Sequence, residues 1–397
     1  MENENKKVIF LMPTLSTGGG ERIVSELSLN LPEDIQRIIV VFTGIRDKTS
    51  YNYNGKIVSL NLPISSNFAV KIYSFFLGIY KFKKIIKEEK PDHIISFGGQ
   101  LSVINILSNK KALVTFESFI PTTYSFSERI FGILIRFLFN RADKIIVCSK
   151  EIGNSLVRNF GVKKEKIKVL YNPIDINKIN NLVTEPLEPE YQEIFKNPVI
   201  INIGRFAEMK GQWHLVGTFK EVKNKIKDAK LVILGRGELE QGLRKLIKNL
   251  DLENDVYLLG WQKNPFKFLA NSKLFVLSSP GGEGLPYVIL EAMACRLPII
   301  STDCKSGPRE ILAPNTDPNY QTRDIEYAQY GILTPVCTGK FYEDDHPLNR
   351  EEKILTDAMV EVLSNKELLK NLAEKSKQRA EEFDAKNIIK EWNFINK

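Results

Sequence analysis

The chain alternates short apolar runs with helical patterns, and it does so in two consecutive series. The first series starts with residues 8–12 and ends with 167–170, and the second starts with 199–203 and ends with 331–333. Such alternation predicts parallel sheets, because parallel strands need a crossover connection and the crossover helices then cover both faces. The length of 397 residues exceeds what one hydrophobic core usually supports. We therefore expect an α/β protein with two doubly wound, Rossmann-like domains and a ligand site in the cleft between them.

A polar, proline-containing stretch between the two series marks the domain boundary. Residues 176–197 lack strand-like apolar runs and contain Pro186 and Pro189. The predicted division is a first domain at 1–172, a linker at 173–197, a second domain at 198–380, and a last helix at 381–397 that crosses back to the first domain.

The stretch 274–300 carries the strongest sign of a ligand site. A buried strand at 274–277 leads through a Gly/Pro-rich loop into a helix predicted over 286–294, and a second strand follows. In an open α/β sheet, ligands sit where such a loop leaves the carboxyl end of a strand. The N–H groups of Leu285, Tyr287 and Val288 stand at the start of the predicted helix, where backbone N–H groups have no acceptor within the helix itself; together with the helix dipole, they predict binding of an anion such as a diphosphate.

Two carboxylates bracket this loop and helix. Glu283 precedes the turn and Glu291 lies about a turn and a half inside the helix, which separates them by roughly 7–12 Å and suits the two ends of a nucleotide sugar. The spacing alone is not specific, because three other Glu pairs share it. Only the pair at Glu283 follows a buried strand and a Gly/Pro turn.

Cations and glycines follow other strands of the two series. Arg205 and Lys210 leave the strand at 199–203 on the same sheet edge as Glu283, where they would neutralise a diphosphate. The turn at Gly235 would border the nucleotide. In the first domain, consecutive glycines at 18–20 would let backbone amides approach a phosphate or sugar. The glycines do not form GxGxxG and no acidic residue ends the second strand, which argues against a nicotinamide cofactor.

Charge is concentrated in the first half of the chain. The net charge is +8, and residues 1–170 hold 25 Lys/Arg against 15 Asp/Glu, a balance of +10. This asymmetry predicts an anionic partner, either a membrane surface or nucleic acid. The stretches 68–90 and 126–141 mix aromatic with basic residues, as interfacial helices do, although their apolar faces would equally well pack on the sheet. Nucleic acid is disfavoured because no DNA- or RNA-binding signature accompanies the charge.

Other classes of site find no support in the sequence. The four cysteines have no metal-like spacing and are expected as reduced thiols, and the three histidines are scattered. No catalytic triad, zinc cluster or Walker loop is visible, so no metal is expected. The N-terminal apolar run is too short for a signal peptide, and no stretch has the length of a transmembrane helix. We expect a cytoplasmic protein.

Taken together, these motifs resemble the retaining glycosyltransferases of family 4, which have the GT-B fold. The resemblance spans essentially the whole chain, is strongest over 198–312, and at 306–312 is most similar to the subgroup that extends lipid-linked oligosaccharides, capsules and lipopolysaccharide. The motifs that carry it are Gly18-Gly19-x-Glu21-Arg22, Asn172-Pro-Ile-Asp175, Gly204-Arg205 with Lys210-Gly211, Gly235-x-Gly237, and Glu283-Gly284-Leu285-Pro286 with Glu291-Ala-Met-Ala.

The resemblance implies roles for individual residues. Arg205 and Lys210 would hold the donor diphosphate, Glu283 the hydroxyls of the transferred sugar, and Glu291 the ribose. The loop at Gly18 and Gly19 would close over sugar and phosphate. The sequence departs from the family at Glu117, which stands where many members carry a His and is therefore the candidate for that place. The full predicted donor site is Gly18, Gly19, Arg205, Lys210, Gly235, Glu283, Gly284, Leu285, Pro286, Tyr287 and Glu291, with Glu117 added to the catalytic set.

The resemblance implies transfer of a hexose or N-acetylhexosamine from a nucleoside diphosphate sugar, with UDP as the expected nucleotide and without a metal or other cofactor. The acceptor would be a glycan or a polyprenyl-linked oligosaccharide at the inner face of the cell membrane, with the basic first domain as acceptor-binding domain on the anionic surface. Two rivals remain: another enzyme on this fold, such as a nucleotide-sugar epimerase or a phosphorylase, and a non-catalytic sugar-nucleotide sensor or membrane scaffold.

Overall fold

The chain forms two compact units, each built on one seven-stranded sheet. The computed structural model describes residues 6–16, 18–43, 51–118 and 136–392. The first unit contains residues Met1–Pro173 and Ala385–Lys397, and the second contains Ile174–Asp384. The α/β class and the two parallel-sheet units expected from the alternating pattern are confirmed.

The first sheet is parallel, with the strand order β3-β2-β1-β4-β5-β6-β7. The order reverses between β1 and β4, which creates the crevice where ligands bind in folds of this kind. The strands are β1 (Lys7–Met12), β2 (Gln36–Val41), β3 (Lys56–Ser59), β4 (His93–Phe97), β5 (Ala112–Phe116), β6 (Lys144–Val147) and β7 (Ile167–Val169). The helices that connect or flank them are α1 (Gly19–Asn30), α2 (Phe68–Glu89), α3 (Gly99–Ser108), α4 (Lys150–Phe160) and, from the chain end, α14 (Ala385–Glu391).

The second sheet has the order β10-β9-β8-β11-β12-β14-β13, and its reversal falls between β8 and β11. Of the strands in the described ranges, the edge strand β13 alone is antiparallel to its neighbour. The strands are β8 (Val199–Ile203), β9 (Lys230–Leu234), β10 (Val256–Gly260), β11 (Leu274–Leu277), β12 (Ile299–Thr302), β13 (Glu326–Ala328) and β14 (Gly331–Thr334). The helices are α5 (Ile176–Leu182), α6 (Pro189–Phe195), α7 (Gln212–Lys225), α8 (Glu240–Asn249), α9 (Phe266–Ala270), α10 (Tyr287–Ala294), α11 (Gly307–Leu312), α12 (Arg350–Ser364) and α13 (Lys366–Glu382).

Two stretches fold differently from their composition. The polar stretch 173–197 contains α5 and α6, and both helices group with the second unit. Residues 314–330, which look like an irregular loop, contain strand β13. Glu326 of β13 is anchored by the buried Arg309 on α11, whose Nη2 lies 2.7 Å from the Glu326 carboxylate and 2.6 Å from that of Asp303. This ion network stabilises an edge strand that hydrophobic periodicity cannot reveal.

The cores consist of the apolar strand residues that gave the sequence its pattern. In the second unit, Ile200, Leu231, Val276 and Ile300 are fully buried and belong to one cluster. Runs that are apolar on both faces fit strands covered by helices on both sides. The carboxyl ends of the strands, where the polar loops begin, are thereby left as the edge at which a site can form.

Candidate functional site

The loops that follow β8 and β11 meet at the reversal point of the second sheet. Gly211 ends the β8 loop with a left-handed φ of 59°, and a Cβ there would overlap the carbonyl oxygen of Ser278 in the β11 loop. The hydroxyl of Ser278 donates to the carbonyl of Lys210 at 3.0 Å. A glycine is therefore required for the two backbones to approach this closely. The approach brings Lys210 and Glu283 together.

Glu283 is buried and held by two donors. Lys210 Nζ lies 2.7 Å from Glu283 Oε1, and the Ser279 hydroxyl donates to the same oxygen at 2.6 Å. Ser279 is itself fixed, because Thr302 at the end of β12 donates to its carbonyl at 2.6 Å. None of the hydrogen bonds among the described residues reaches Glu283 Oε2. The carboxylate is thus oriented through one oxygen, with the other left for a further donor.

The loop after β12 supports the backbone on either side of Glu283. The Ser306 N–H donates to the Glu283 carbonyl at 3.2 Å, and the Ser306 hydroxyl donates to the Gly284 carbonyl at 3.1 Å. Gly307 lies so close to Gly284 and Leu285 that a Cβ would overlap them. The turn that leads into α10 is therefore set by contacts from three strand ends rather than by its own sequence alone.

Helix α10 begins one residue later than the sequence predicts, at Tyr287, with Pro286 as its N-cap. Leu285 and Pro286 are buried, whereas Tyr287 is partly exposed. Glu291 is buried in the second turn of the helix. Burial, and then the negative charge of Glu291, raises the pKa of the Cys295 thiol one turn further on.

Arg205 presents an exposed cation beside this pair. Its Nη2 lies 3.8 Å from the sulfur of Met209, and the methyl group of Met209 faces Gly282 in the β11 loop. The Arg205 carbonyl accepts from the buried Gln212 side chain at 3.1 Å. The guanidinium has no carboxylate partner within the described ranges of the chain. The site therefore carries one paired and one exposed cation at the same sheet edge.

Gly235 packs against the backbone of the loop that follows β8. Its φ is +146°, and a Cβ would overlap the carbonyl oxygen of Gly204, the residue before Arg205. Gly237 is equally close to the backbone of Phe206. Gly235 therefore supports the loop that presents Arg205, a packing function that the sequence motif alone does not reveal.

The predicted residues of the first unit meet at the reversal point of the first sheet. Gly18 is the N-cap of α1, and the helix begins at Gly19. The Glu117 carboxylate, just after β5, lies against Gly20, where a Cβ would overlap Oε2. Thr115 donates to Glu117 Oε1 at 2.9 Å. The consecutive glycines thus accommodate an acidic side chain as well as exposing backbone.

A second carboxylate, Glu21, accompanies Glu117; it belongs to the glycine motif at 18–22, but the motif predicted no role for it. Thr14 donates to Glu21 Oε1 at 3.0 Å, and Ser16 lies 3.4 Å from the same oxygen. Burial raises the pKa of Glu117 to about 7, against the opposing hydrogen bond from Thr115, and the charge of Glu21 adds to the increase. Two acidic groups surrounded by hydroxyls favour a neutral polyhydroxylated ligand over a second phosphate. Ser-Thr side chains after the first strand were the available signal.

The structure brings Lys210, Glu283 and the Arg205 loop together in the second unit, and in the first it places Glu117 against Gly20, next in the chain to the predicted Gly18 and Gly19. Ser279 and Thr302, which orient Glu283, were missed because neither belongs to the quoted motifs. The Cys304 thiol near Glu283 is poorly suited as a nucleophile, since burial and then the charge of Glu283 raise its pKa. The described residues contain no group of three His, Cys, Asp or Glu side chains arranged to hold a metal ion. No described helix has the length and apolarity needed to cross a membrane.

Comparison with known proteins gives two family matches. Residues 17–178 match Glycosyltransferase Family 4, and residues 185–320 match Glycosyl transferases group 1. An uncharacterised glycosyltransferase of Methanocaldococcus jannaschii is 41% identical over 336 residues, which cover 80% of this chain and 82% of the relative.

One further relative and one solved structure of similar fold cover nearly the whole chain. The N-acetylgalactosamine-N,N'-diacetylbacillosaminyl-diphospho-undecaprenol 4-alpha-N-acetylgalactosaminyltransferase of Campylobacter jejuni is 28% identical, covering 97% of this chain and 98% of the relative. The crystal structure of HepE from Anabaena in complex with UDP has a TM-score of 0.75 at 18% identity and covers 98% of each chain. The fold is the two-domain GT-B class, and the chain belongs to the family 4 glycosyltransferases.

Proposed function

We propose that the protein is a retaining, metal-independent glycosyltransferase that moves a hexose or N-acetylhexosamine from a UDP-sugar to a lipid-linked or cell-surface glycan. The observation that supports this most directly is the 2.7 Å contact between Lys210 Nζ and Glu283 Oε1 at the reversal point of the second sheet. A cation for phosphate and an oriented carboxylate for sugar hydroxyls stand side by side. This is the junction that a nucleoside diphosphate sugar presents between its diphosphate and its sugar.

Each group has a proposed part in donor binding. Arg205 and Lys210 hold the diphosphate, Arg205 through a fork of donors and Lys210 as a point charge. Glu283 accepts hydrogen bonds from sugar hydroxyls through Oε2, since Lys210 and Ser279 occupy Oε1. Glu291 binds the ribose. The start of α10, with Gly284, Leu285, Pro286 and Tyr287, lies along the diphosphate, where the helix dipole favours negative charge.

Transfer proceeds by breaking the bond between the anomeric carbon and the diphosphate oxygen. The sugar acquires oxocarbenium character, and the departing diphosphate gains charge that Arg205, Lys210 and the helix start stabilise. The acceptor hydroxyl attacks from the face that the diphosphate leaves, and a diphosphate oxygen takes its proton. The new glycosidic bond keeps the configuration, and UDP is the second product. Glu283 remains a hydrogen-bond acceptor, because its fixed Oε1 and its neighbouring cation make it a poor nucleophile.

The lipid-linked acceptor rests on a relative rather than on this chain's contacts. The Campylobacter jejuni relative is named for an undecaprenyl diphosphate-linked substrate. We extend that acceptor class to this protein and place the enzyme at the cytoplasmic face of the cell membrane, attached peripherally through its basic first unit.

A donor screen tests the proposal. Nucleotide sugars are first ranked by the thermal stabilisation that they give, because a ligand of the folded state raises the unfolding temperature. The best donor is then incubated with polyprenyl diphosphate-linked glycans, and the anomeric configuration of the product is read by NMR. We expect a retained linkage and an unchanged rate in EDTA.

The rival functions give different results in the same screen. Interconversion of the donor sugar without an acceptor would indicate an epimerase, and binding of UDP without transfer to any acceptor would indicate a sensor or scaffold. Either outcome, an inverted product, or loss of activity in EDTA would refute the corresponding part of the proposal.

A further inference from the structure

Helix α2 has two distinct faces, and only one of them packs on the sheet. Ser74, Gly78 and Phe82 are its buried residues. Gly78 contacts Leu62 and Ile104, and Phe82 belongs to the core cluster of the first unit. The interior of the protein therefore accounts for one side of the helix.

The opposite face exposes large apolar side chains to solvent. Phe68, Ile72, Phe76 and Tyr80 follow one another at intervals of four residues, so they form one contiguous stripe that turns about 40° around the helix with each step. Their exposed fractions are 77%, 43%, 63% and 69%, and Tyr73 beside them is 60% exposed. Single exposed apolar residues are ordinary, whereas a contiguous stripe of this size marks an interaction surface.

The same stripe becomes cationic in the last turns. Lys84 continues the four-residue series, and Lys83 and Lys87 flank it, all three exposed. Lys84 has an exposed partner, Glu88, at 3.8 Å, a contact of little energetic weight. From Phe68 to Lys87 the stripe is about 28 Å long, at a rise of 1.5 Å per residue. The series turns by about 160° around the helix from Phe68 to Lys84, so the aromatic and basic residues share one broad face, opposite the buried Ser74, Gly78 and Phe82.

We propose that this stripe, formed by Phe68, Ile72, Tyr73, Phe76, Tyr80, Lys83, Lys84 and Lys87, docks the first unit flat on a bilayer of anionic lipids. The aromatic side chains enter the headgroup region, where amphipathic rings are favoured, and the lysines bind lipid phosphates. The helix does not span the bilayer, since its other face is committed to the protein core. The surface is separate from the candidate catalytic residues, so it stands whether or not the proposed reaction is correct.

Charge distinguishes a membrane from a second copy of the chain as the occupant. A symmetric pairing of α2 stripes would place the three lysines of one copy close to those of the other if the helices ran parallel. An antiparallel pair would instead set lysines against aromatic rings, contacts that are attractive but supply no anionic partner for the lysine charges. An anionic bilayer satisfies both halves of the stripe at once. Oligomerisation through α2 is therefore the outcome against which the proposal is tested.

The experiment is sedimentation with vesicles. The full chain is mixed with vesicles of phosphatidylglycerol and phosphatidylcholine in equal parts, or of phosphatidylcholine alone. One variant combines Phe76→Ser with Tyr80→Ser, and another replaces Lys83, Lys84 and Lys87 by Gln. The matched controls are Leu29→Ser, an exposed apolar residue on α1, and Gln at the exposed lysines 353, 366 and 370 of the second unit.

We expect binding to the anionic vesicles to fall by about 100-fold in the lysine variant, as three surface lysines would contribute. The aromatic variant should lose at least about 10-fold, and the controls should bind as the wild type. Binding should also weaken from 0.05 to 0.5 M salt, concentrations at which screening of surface charge differs strongly. Melting temperature and UDP binding, measured in solution without vesicles, should stay unchanged in every variant.

Three results would overturn the proposal: equal binding to neutral and anionic vesicles, equal loss in the controls, or a dimer that dissociates on Phe76→Ser while vesicle binding persists. UDP binding measured in the same variants separates this failure from failure of the proposed reaction.

Discussion

Replacing Glu117 by Gln should make the protein more stable at neutral pH than the wild type. The side chain is packed against Gly20 and receives one hydrogen bond, from Thr115, and its pKa is raised by burial to about 7 from an ordinary 4.5. Because the folded state holds this proton more tightly than the unfolded state, the folded state binds more protons between pH 4.5 and 7. The free energy of unfolding of the wild type therefore falls as pH rises through that window. Glutamine keeps the shape and has no proton to lose there.

The size of the effect follows from the difference between the two pKa values. A shift from 4.5 to about 7 corresponds to roughly 3 kcal/mol, at about 1.4 kcal/mol per pKa unit. Partial solvent access to the carboxylate reduces this to about 1–3 kcal/mol. The stability gap between Glu117→Gln and wild type should thus be near zero at pH 4.5, open between pH 4.5 and 7, and remain constant above pH 7.5.

Tryptophan fluorescence during urea unfolding measures this stability difference, and it can be confined to the first unit, which contains Glu117. Replacing Trp213 and Trp261 by Phe leaves Trp392, which is buried in the first unit, as the remaining tryptophan of three. Glu165→Gln, at an exposed site in the same unit, serves as the control and should give a pH-independent difference. If the profiles of Glu117→Gln and wild type run parallel from pH 4.5 to 8, the carboxylate titrates normally and the reasoning is wrong.

Two further predictions concern the second unit. Ser279→Ala removes a 2.6 Å charge-assisted hydrogen bond to Glu283, so the affinity for the UDP-sugar should fall by about 10- to 100-fold while the affinity for UDP alone is unchanged. Calorimetry with both ligands checks this, with Ser272→Ala as the control. Equal losses of affinity for the two ligands would contradict the prediction. Gly235→Ala forces a side chain into the carbonyl of Gly204 at a φ of +146°, so it should lower the free energy of unfolding by more than about 1 kcal/mol. Gly281→Ala has open space and should be neutral, and equal urea midpoints for the two alanine variants would refute the packing argument.

The fold could be predicted from the sequence because the alternation of apolar runs with helical patterns is local and is repeated along the chain. Among the described residues, thirteen of the fourteen strands coincide with apolar runs, since strands covered by helices on both faces are apolar along their length. Strand β13 was not predicted, because this three-residue edge strand is held by the ion pair of Glu326 with Arg309. Such a contact depends on residues that are distant in the sequence. The helices at 176–182 and 189–195 were not predicted, because they are mostly polar and their buried residues, Ile179 and Ile194, are too few to give a helical pattern.

The sequence predicted the candidate site only where residues of the motifs carry the chemistry themselves. Lys210 and Glu283 are 73 residues apart in the sequence, and the shared edge of parallel strands predicts their proximity. The orientation of Glu283 through Ser279 and Thr302 depends on hydrogen bonds between three loops, which spacing cannot encode. Gly235 was predicted to border the nucleotide, and the structure adds a contact with Gly204 that a glycine turn does not reveal in the sequence.

Binding of UDP to Lys210→Ala tests the central claim, that the diphosphate docks on the cations at the reversal point of the second sheet. Calorimetry should show at least about 10-fold weaker binding of UDP than in the wild type, because a charge-assisted contact is lost. Turnover with the donor sugar should fall by about 10² to 10³ with the melting temperature preserved. Lys366→Ala, at an exposed lysine of the same unit, should behave as the wild type. Wild-type affinity for UDP and wild-type turnover in Lys210→Ala would contradict the account.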